Sequence, residues 1–177
     1  MTGRDVQTVL CGLGGQGVVF LSRVLAEAAM LEGREVLTAE THGMAQRGAA
    51  VESHVKIGGF QSSLVRQGSA HAVLVLDPGR LASAQRFLGP LGAAFLNAEG
   101  PVDGAEVCDA AGIAREIGFP RGLNLVLLGF AAAGRGDLFP AGGAILEALR
   151  RISPAAACEE NVEAFEAGFE RSNGPVP

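Results

Sequence analysis

The first patterned segments of the sequence predict a strand, a turn and a helix. Residues Val6 to Cys11 are mostly apolar or β-branched, which predicts a buried strand. Apolar positions dominate from Val18 to Leu31 and Gly33 follows as a stop signal, so this segment predicts a largely buried helix. A second strand over Glu35 to Ala39 would complete a βαβ unit with a right-handed crossover.

Residues Ala50 to Ile57 alternate between apolar and polar side chains. This period of two is typical of a strand with two different faces. Valine and isoleucine side chains would lie on one face, and Glu52, His54 and Lys56 on the other. Because these three are polar, we expect that face to be partly wet and the strand to lie near a sheet edge or a subunit surface.

The later segments alternate between strand and helix patterns. The predicted elements are the strand Ala72–Leu76, the helix Ala82–Leu88 behind the cap Asp77-Pro78, the strands Ala93–Leu96 and Glu106–Cys108, a short helix from Asp109 to Gly118, and the helices Asn124–Ala133, Ala141–Arg151 and Ala156–Glu170. This order predicts an α/β fold: one Rossmann-like, three-layer α/β/α domain, with a mostly parallel or mixed sheet and a βαβ start. We expect the domain to span residues 1–171 and residues 172–177 to form a flexible tail.

Composition narrows the classes of partner. Hydrophobic residues make up 48% of the chain and charged residues only 19%, so we expect a partner to cover part of the apolar surface. The net charge is −5 and no Lys/Arg cluster is present, which argues against binding to nucleic acid or to an anionic membrane. Tryptophan and tyrosine are absent, so base-stacking platforms are also poorly supplied.

The cysteines predict neither a metal site nor a cluster. Cys11, Cys108 and Cys158 are far apart and form no CxxC pair, so we interpret them as reduced core residues. The N-terminal sequence has charges where a signal peptide needs its apolar stretch, and the apolar run near residues 123–134 is too short to span a bilayer. We therefore expect a cytoplasmic protein.

The stretch GLGGQG matches the pattern G-x-G-x-x-G between a strand and a helix. Such a turn supports three interpretations. It could bind NAD(P) or a flavin, with Glu40 on the ribose; it could bind another anionic group at the helix N-terminus; or its glycines could serve only tight packing. The candidate residues of the turn are Gly12, Gly14, Gly15, Gln16 and Gly17.

A second segment, ETHGMAQRG, directly follows the second predicted strand, where open α/β sheets form ligand sites. His42 could act as a general base and Arg47 could clamp a carboxylate or phosphate. Alternatively, both side chains bond only to loop carbonyls or to a partner's carboxylates. The candidate residues of this active-site-facing loop are Glu40, Thr41, His42, Gly43, Met44, Gln46 and Arg47.

Together the two motifs resemble a known family. GLGGQGVVFLSRVLAEAAMLEGREV followed by ETHGMAQRGAAVESHVKIG is similar to the gamma-type domain of 2-oxoacid:ferredoxin oxidoreductases. LNLVLLG and CEENVEAFEAGFE also look like that family, so the resemblance covers nearly the whole chain. Within the family, the wording HGMAQRG favours the aromatic, indolepyruvate-oxidising branch.

The resemblance implies the small subunit of a thiamine-dependent enzyme that decarboxylates arylpyruvates to acyl-CoA and CO2 and reduces ferredoxin. Thiamine diphosphate, magnesium and iron–sulfur clusters would belong to a large partner subunit, in an α2β2 arrangement. This chain would bind no cofactor tightly and would not be active alone. Coenzyme A would be a co-substrate, and the glycine turn would accept an anionic group such as its phosphate.

Two other functions stay open at this point. One is a stand-alone oxidoreductase that binds NAD(P) or a flavin through the glycine turn. The other is a non-catalytic regulatory or assembly module related to the family. Cofactor binding by the isolated chain would indicate the first, and full activity of the large subunit alone would indicate the second.

Overall fold

The computed structural model describes residues 4–42 and 48–172. Within these residues, six strands form one mixed sheet in the order β2-β3-β1-β4-β5-β6. The strands are β1 (Val6–Leu13), β2 (Val36–His42), β3 (Ala50–Ile57), β4 (Ala70–Val75), β5 (Leu88–Asn97) and β6 (Glu106–Cys108). The α-helices are α1 (Val18–Leu31), α2 (Leu81–Gln85), α3 (Ala110–Glu116), α4 (Leu123–Gly134), α5 (Gly142–Ile152) and α6 (Cys158–Ser172). The predicted α/β fold is thus confirmed.

The predicted βαβ unit is present, but its two strands are not neighbours. β3 lies between β1 and β2 and pairs antiparallel with both. β1 and β2 therefore run in the same direction, and β1 pairs in parallel with β4 on its other side. β3 is the second strand of the sheet, directly next to the edge strand β2, which confirms the expectation that it lies near a sheet edge.

The polar face of β3 is buried in the second half of the strand. His54 is 3% exposed and Lys56 is 6% exposed. The segment 58–69 and the region after α2 cover them: the N–H of Val65 donates to His54 Nδ1 at 3.3 Å, and the His54 ring meets the Phe87 ring edge to face. Lys56 Nζ lies 5.1 Å from the centre of the Phe60 ring. Polar contacts therefore replace water around His54 and Lys56, whereas Glu52 on the same face is half-buried and leaves that end of the strand partly wet.

The two faces of the sheet are covered differently. Helix α1 and helices α3 to α6 cover one face, with a large apolar core. The other face carries a smaller apolar cluster under α2 and the irregular segments around Val65 and Val102. The third layer is therefore only partly helical.

Helix boundaries follow local signals closely, with two corrections. Asp77 and Asp109 cap the turns that follow them, accepting the N–H groups of Gly79 and Gly112. The predicted helix Ala82–Leu88 is shorter, because Phe87 joins the apolar cluster under the sheet and Leu88 begins β5. Ser172, predicted as tail, ends α6, and residues 173–177 lie outside the described residues.

None of the helices in residues 4–42 and 48–172 has the length and apolar character needed to cross a membrane.

Candidate functional site

The chain leaves two neighbouring parallel strands in opposite directions at one edge of the sheet. After β1 the glycine turn leads to α1 on the helical face, whereas after β4 the turn at residues 77–80 leads to α2 on the other face. We call this edge, where the parallel strands end, the carboxyl edge. In open α/β sheets ligands bind in the crevice at such a switch point, so the glycine turn is in the right place for a site.

The glycine turn is closed by its own glutamine. The N–H of Leu13 donates to Gln16 Oε1 at 2.7 Å, and the Gln16 N–H donates to the Leu13 carbonyl at 3.1 Å. Gly15 and Gly17 have φ values of 95° and 78°, a backbone conformation that favours glycine. The Gln16 amide oxygen thus shapes the turn.

Among the residues that the structure describes, the N-terminus of α1 has no side-chain cap. Gly17 is the N-cap residue, and no described side chain accepts a hydrogen bond from the first turn. Its backbone N–H groups therefore point outward with the positive end of the helix dipole. Next to them is an open depression of about 430 Å³, lined by Leu13, Gly14, Gly15, Gly17, Val18, Val19 and Val51. None of these lining residues is ionisable.

The sequence reasoning missed Asn124, which holds the turn from below. Asn124 lies in the first turn of α4 and is only 5% exposed. Its Nδ2 donates to the Gly17 carbonyl at 3.3 Å, and its Oδ1 accepts the Leu125 N–H at 2.9 Å. A Cβ atom on Gly17 would collide with this amide. A single polar residue in the apolar stretch LNLVLLG was the signal for this role.

The second candidate segment starts inside the sheet, and its end contacts the turn. Glu40 and Thr41 are exposed residues of β2 and not loop residues, and His42 is the last residue of that strand. At the other end of the segment, the N–H of Gly14 donates to the carbonyl of Ala49 at 2.9 Å. Both segments therefore meet the carboxyl edge. The other candidates, Gly43, Met44, Gln46 and Arg47, lie outside the described residues.

A charged cluster lies beneath this edge on the face opposite α1. Glu52 Oε1 is 3.5 Å from an Arg86 guanidinium nitrogen, and the Arg86 guanidinium lies over the Phe87 ring. Arg80, in the turn after β4, has a buried Nε with no hydrogen-bond partner among the described residues. The turn signal Asp-Pro-Gly-Arg after a buried strand could have indicated Arg80.

The cysteines of the core are not nucleophiles. Burial, assisted by the negative charge of Glu52, raises the pKa of the Cys11 thiol to about 12. Burial likewise raises the pKa of Cys108 to about 11. Both thiols are therefore protonated near neutral pH. Within residues 4–42 and 48–172, no group of three or more His, Cys, Asp and Glu side chains is placed to hold a metal ion.

Fold and site thus define an α/β protein with an anion-compatible glycine turn at a switch point. The chain matches the pyruvate ferredoxin/flavodoxin oxidoreductase family over residues 7–171 and belongs to that family. This confirms the resemblance seen in the two sequence motifs.

Known relatives are subunits of such enzymes. The chain is 30% identical over 186 residues to the indolepyruvate oxidoreductase subunit IorB of Methanothermobacter thermautotrophicus, covering 90% of this chain and 94% of that protein. It is 44% identical over 89 residues to IorB of Archaeoglobus fulgidus, covering 50% of this chain and 44% of that protein. It is also 32% identical over 170 residues to the pyruvate synthase subunit PorC of M. thermautotrophicus, covering 90% of this chain and 91% of that protein.

Solved structures share the fold. The gamma subunit of a keto/oxoacid ferredoxin oxidoreductase from Geobacter sulfurreducens PCA superposes with a TM-score of 0.77 at 24% identity, covering 95% of this chain and 98% of that one. A chain of the 2-oxoglutarate:ferredoxin oxidoreductase from Magnetococcus marinus, solved with 2-oxoglutarate, coenzyme A and succinyl-CoA, gives 0.79 at 19% identity, covering 98% of this chain and 32% of that one.

The strand order argues against the dinucleotide interpretation of the turn. In dinucleotide-binding sheets the strand with the ribose-binding acid is the direct neighbour of the first strand. Here β3 separates β2 from β1, and Glu40 pairs with Ser53 of β3. Glu40 is therefore displaced by one full strand from the position that this role requires.

Proposed function

We propose that this chain is the small subunit of a thiamine-dependent 2-oxoacid:ferredoxin oxidoreductase that oxidises indolepyruvate and other arylpyruvates to the acyl-CoA and CO2. The observation that carries the proposal is the family match over residues 7–171. The choice of substrate rests on the IorB names of relatives that share 30% to 44% identity with this chain. The PorC relative, at 32% identity, makes pyruvate the alternative substrate to test.

The chemistry of carbon–carbon bond cleavage is supplied by thiamine diphosphate when it is bound. We assign that cofactor, its magnesium ion and the iron–sulfur clusters to the large subunit, as the family resemblance implies. This chain then contributes the carboxyl edge of its sheet to an active site at the subunit interface. That division makes the isolated chain inactive.

We assign the glycine turn to binding an anionic group, with a coenzyme A phosphate as the candidate. The uncapped N–H groups at the start of α1 donate hydrogen bonds and bring the positive end of the helix dipole. Apart from its chain neighbours, no described residue has an atom within 4 Å of the position that a Cβ of Gly15 would occupy, so a ligand can approach the backbone closely there. The lining of the depression by glycines and valines leaves room for an uncharged part of the same ligand.

We assign the segment Glu40 to Arg47 to the partner's active centre. Glu40 and Thr41 are exposed at the end of β2, and the far end of the segment contacts Gly14 through Ala49. In this proposal Arg47 binds the carboxylate of the 2-oxoacid or a coenzyme A phosphate, and Thr41, His42 and Gln46 supply neutral hydrogen bonds. The geometry of the edge supports the placement, and the roles are tested as follows.

Reconstitution tests the function as a whole. Ferredoxin reduction is measured with the cognate large subunit alone and after addition of this chain, for indolepyruvate, pyruvate and 2-oxoglutarate. We expect activity only with both subunits and the highest kcat/KM with indolepyruvate. Full activity of the large subunit alone would leave a regulatory role, and tight NAD(P) or flavin binding by this chain alone would support the oxidoreductase alternative.

Substitution in the turn tests the anion assignment. Gly15→Asp places a negative charge at the turn, whereas Gly33→Asp makes the same change at another glycine with positive φ and open space. Both glycines have positive φ, 95° at Gly15 and 71° at Gly33, so each variant carries backbone strain, but only Gly15→Asp adds repulsion at the site. We expect Gly15→Asp to raise the KM for coenzyme A about tenfold or more relative to Gly33→Asp. Equal KM values would remove the turn from coenzyme A binding.

Arg47→Ala tests the loop assignment in the reconstituted complex. Loss of a charge-assisted hydrogen bond predicts an increase of about tenfold or more in the KM for the 2-oxoacid or for coenzyme A. The control is Arg23→Ala, which removes an exposed arginine from the surface of α1. Unchanged turnover together with unchanged KM values for both substrates would show that Arg47 does not bind either substrate.

A further inference from the structure

A groove opens between α5 and α6 on the helical face. It has a volume of about 340 Å³ and is lined by Gly142, Gly143, Leu146, Phe165, Glu166, Phe169 and Glu170. Its floor is apolar: Phe165 is only 1% exposed and stacks at a tilt on Phe169, with 5.9 Å between the ring centres. Leu146 and Phe169 are half-buried, so each presents apolar surface to the groove.

The groove is a fixed part of the fold. α6 lies against α4 with unusually close backbones, because a Cβ on Gly168 would collide with the carbonyl of Val126 and a Cβ on Gly129 with the carbonyl of Phe165. On the α5 side, a Cβ on Gly142 would lie 3.2 Å from the Phe169 ring. The α6 wall is thus packed closely on α4, and the start of α5 lies against the Phe169 ring of that wall.

The rim of the groove is acidic. Glu166 and Glu170 are exposed, and within residues 4–42 and 48–172 no cationic side chain forms a salt bridge with either carboxylate. Glu159 and Glu163 continue the same stripe of α6, because the four residues follow the spacing i, i+4, i+7, i+11 of one helix face. Of the two arginines in the last turn of α5, Arg151 is paired with Glu147 and Glu27, and Arg150 forms no salt bridge with Glu166 or Glu170 among the described residues.

The acidic rim favours some binding partners of the groove over others. A second copy of this chain, docked about a two-fold axis, would place one acidic stripe against the other. Like charges opposed across an interface cost several-fold in affinity or more, so a second copy fits poorly. A segment with Lys or Arg next to an apolar anchor complements both the rim and the floor.

The α5 side of the groove starts at the end of α1 that is opposite the carboxyl edge. The N–H of Ala141, directly before α5, donates to Glu32 Oε1 at 2.7 Å, and Glu32 is the C-cap of α1. α1 begins at the glycine turn and has 14 residues. A helix of that length extends about 21 Å, so the start of α5 and the glycine turn lie at opposite ends of α1.

We propose that this groove docks a positively charged amphipathic segment of the large subunit. An apolar side chain of that segment packs on Leu146 and Phe169, and its Lys or Arg side chains face Glu166 and Glu170. The inference rests on the proposed function, since that function supplies the large subunit. The small subunit would then be held at one end and left to complete the active site at the other.

Charge reversal tests the docking site. The affinity of the purified cognate large subunit for this chain is measured by titration calorimetry at low and at moderate salt. We expect Glu166→Lys/Glu170→Lys to weaken binding about tenfold or more. The matched control, Glu35→Lys/Glu116→Lys, has the same change in net charge at exposed residues that do not line the groove, and should change the affinity less than about threefold. Wild-type affinity should also fall as salt rises.

The outcomes separate the inference from the function on which it rests. If the wild-type chain does not bind the large subunit, both are wrong. If it binds and the groove variant has wild-type affinity, only the docking site is wrong. If Leu146→Asp dissociates a homodimer of this chain but leaves the affinity for the large subunit unchanged, the occupant is a second copy and the inference is overturned.

Discussion

In the second half of β3 both faces of the strand are buried, but different interactions stabilise the two faces. Towards α1, Val55 and Ile57 are 0% and 2% exposed within the large apolar core. On the other face, His54 and Lys56 are also nearly inaccessible, but they are held by a hydrogen bond and by aromatic rings. The stability of the helical face therefore depends on how well side-chain volumes fit together. The stability of the other face depends on the protonation of His54 and on the charge of Lys56. The same strand allows both claims to be tested.

The largest expected effect is steric, at the crossing of α4 and α6. In Gly168→Leu the new side chain would collide with the Val126 carbonyl, and the helices would have to separate. We expect a loss of about 3 kcal/mol or more in the free energy of unfolding, measured in urea. Gly143→Leu is the control, because it adds the same side chain to a helical glycine with no atom within 4 Å. Equal stability of the two variants would contradict the volume argument.

A smaller steric effect is expected where α1 meets α4. Gly17 and Gly33 both have positive φ, but only Gly17 faces a neighbour, Asn124. We expect Gly33→Ala to cost about 1 kcal/mol for conformation alone, and Gly17→Ala to cost about 2 kcal/mol or more. The double variant Gly17→Ala/Asn124→Ala should recover part of that loss, since the clash is removed. Strictly additive losses in denaturant titrations would show that Asn124 does not limit this site.

The smallest expected effect is a pH dependence from the other face. Burial lowers the pKa of His54 below its ordinary value of 6.5, so the folded state favours the neutral ring. Stability is then constant above pH 6.5 and falls as pH drops below it, because the unfolded chain binds the proton more readily. We expect His54→Gln to reduce that fall by at most about 1.4 kcal/mol per pH unit. His71, whose pKa burial also lowers, contributes a separate share, so His71→Gln is the comparison. An unchanged slope in His54→Gln would contradict the assignment.

Local signals predicted the local structure well. The bounds of α1 and β6, and the caps at Asp77 and Asp109, follow from residues adjacent in sequence. The position of β3 between β1 and β2 could not be predicted, because strand order depends on pairing between distant segments. The alternation of apolar and polar residues shows only that the two faces of a strand differ. The prediction that the helix continues to Leu88 was wrong for a related reason. Phe87 packs in the apolar cluster of the sheet, and this tertiary packing outweighed its helical pattern.

In the candidate site, too, local features could be predicted and contacts between distant segments could not. The glycine turn is a local motif, and its position at the carboxyl edge follows from the strand–turn–helix order. Asn124 is 107 residues away from its partner Gly17, so no spacing rule could join them. Arg80 stands out in the structure only because its Nε is buried, and that burial depends on how the chain packs around α2.

The position of β3 between β1 and β2 sets a minimum length for a ligand that contacts the ends of both strands at the carboxyl edge. The ends of β1 and β2 are two strand spacings apart, about 10 Å, with the first residues of β3 between them. A lone phosphate group is too short to touch Gly15 and Thr41 at once. A molecule that contacts both must be extended, such as a nucleotide with a flexible arm, or two separate molecules must share the edge side by side.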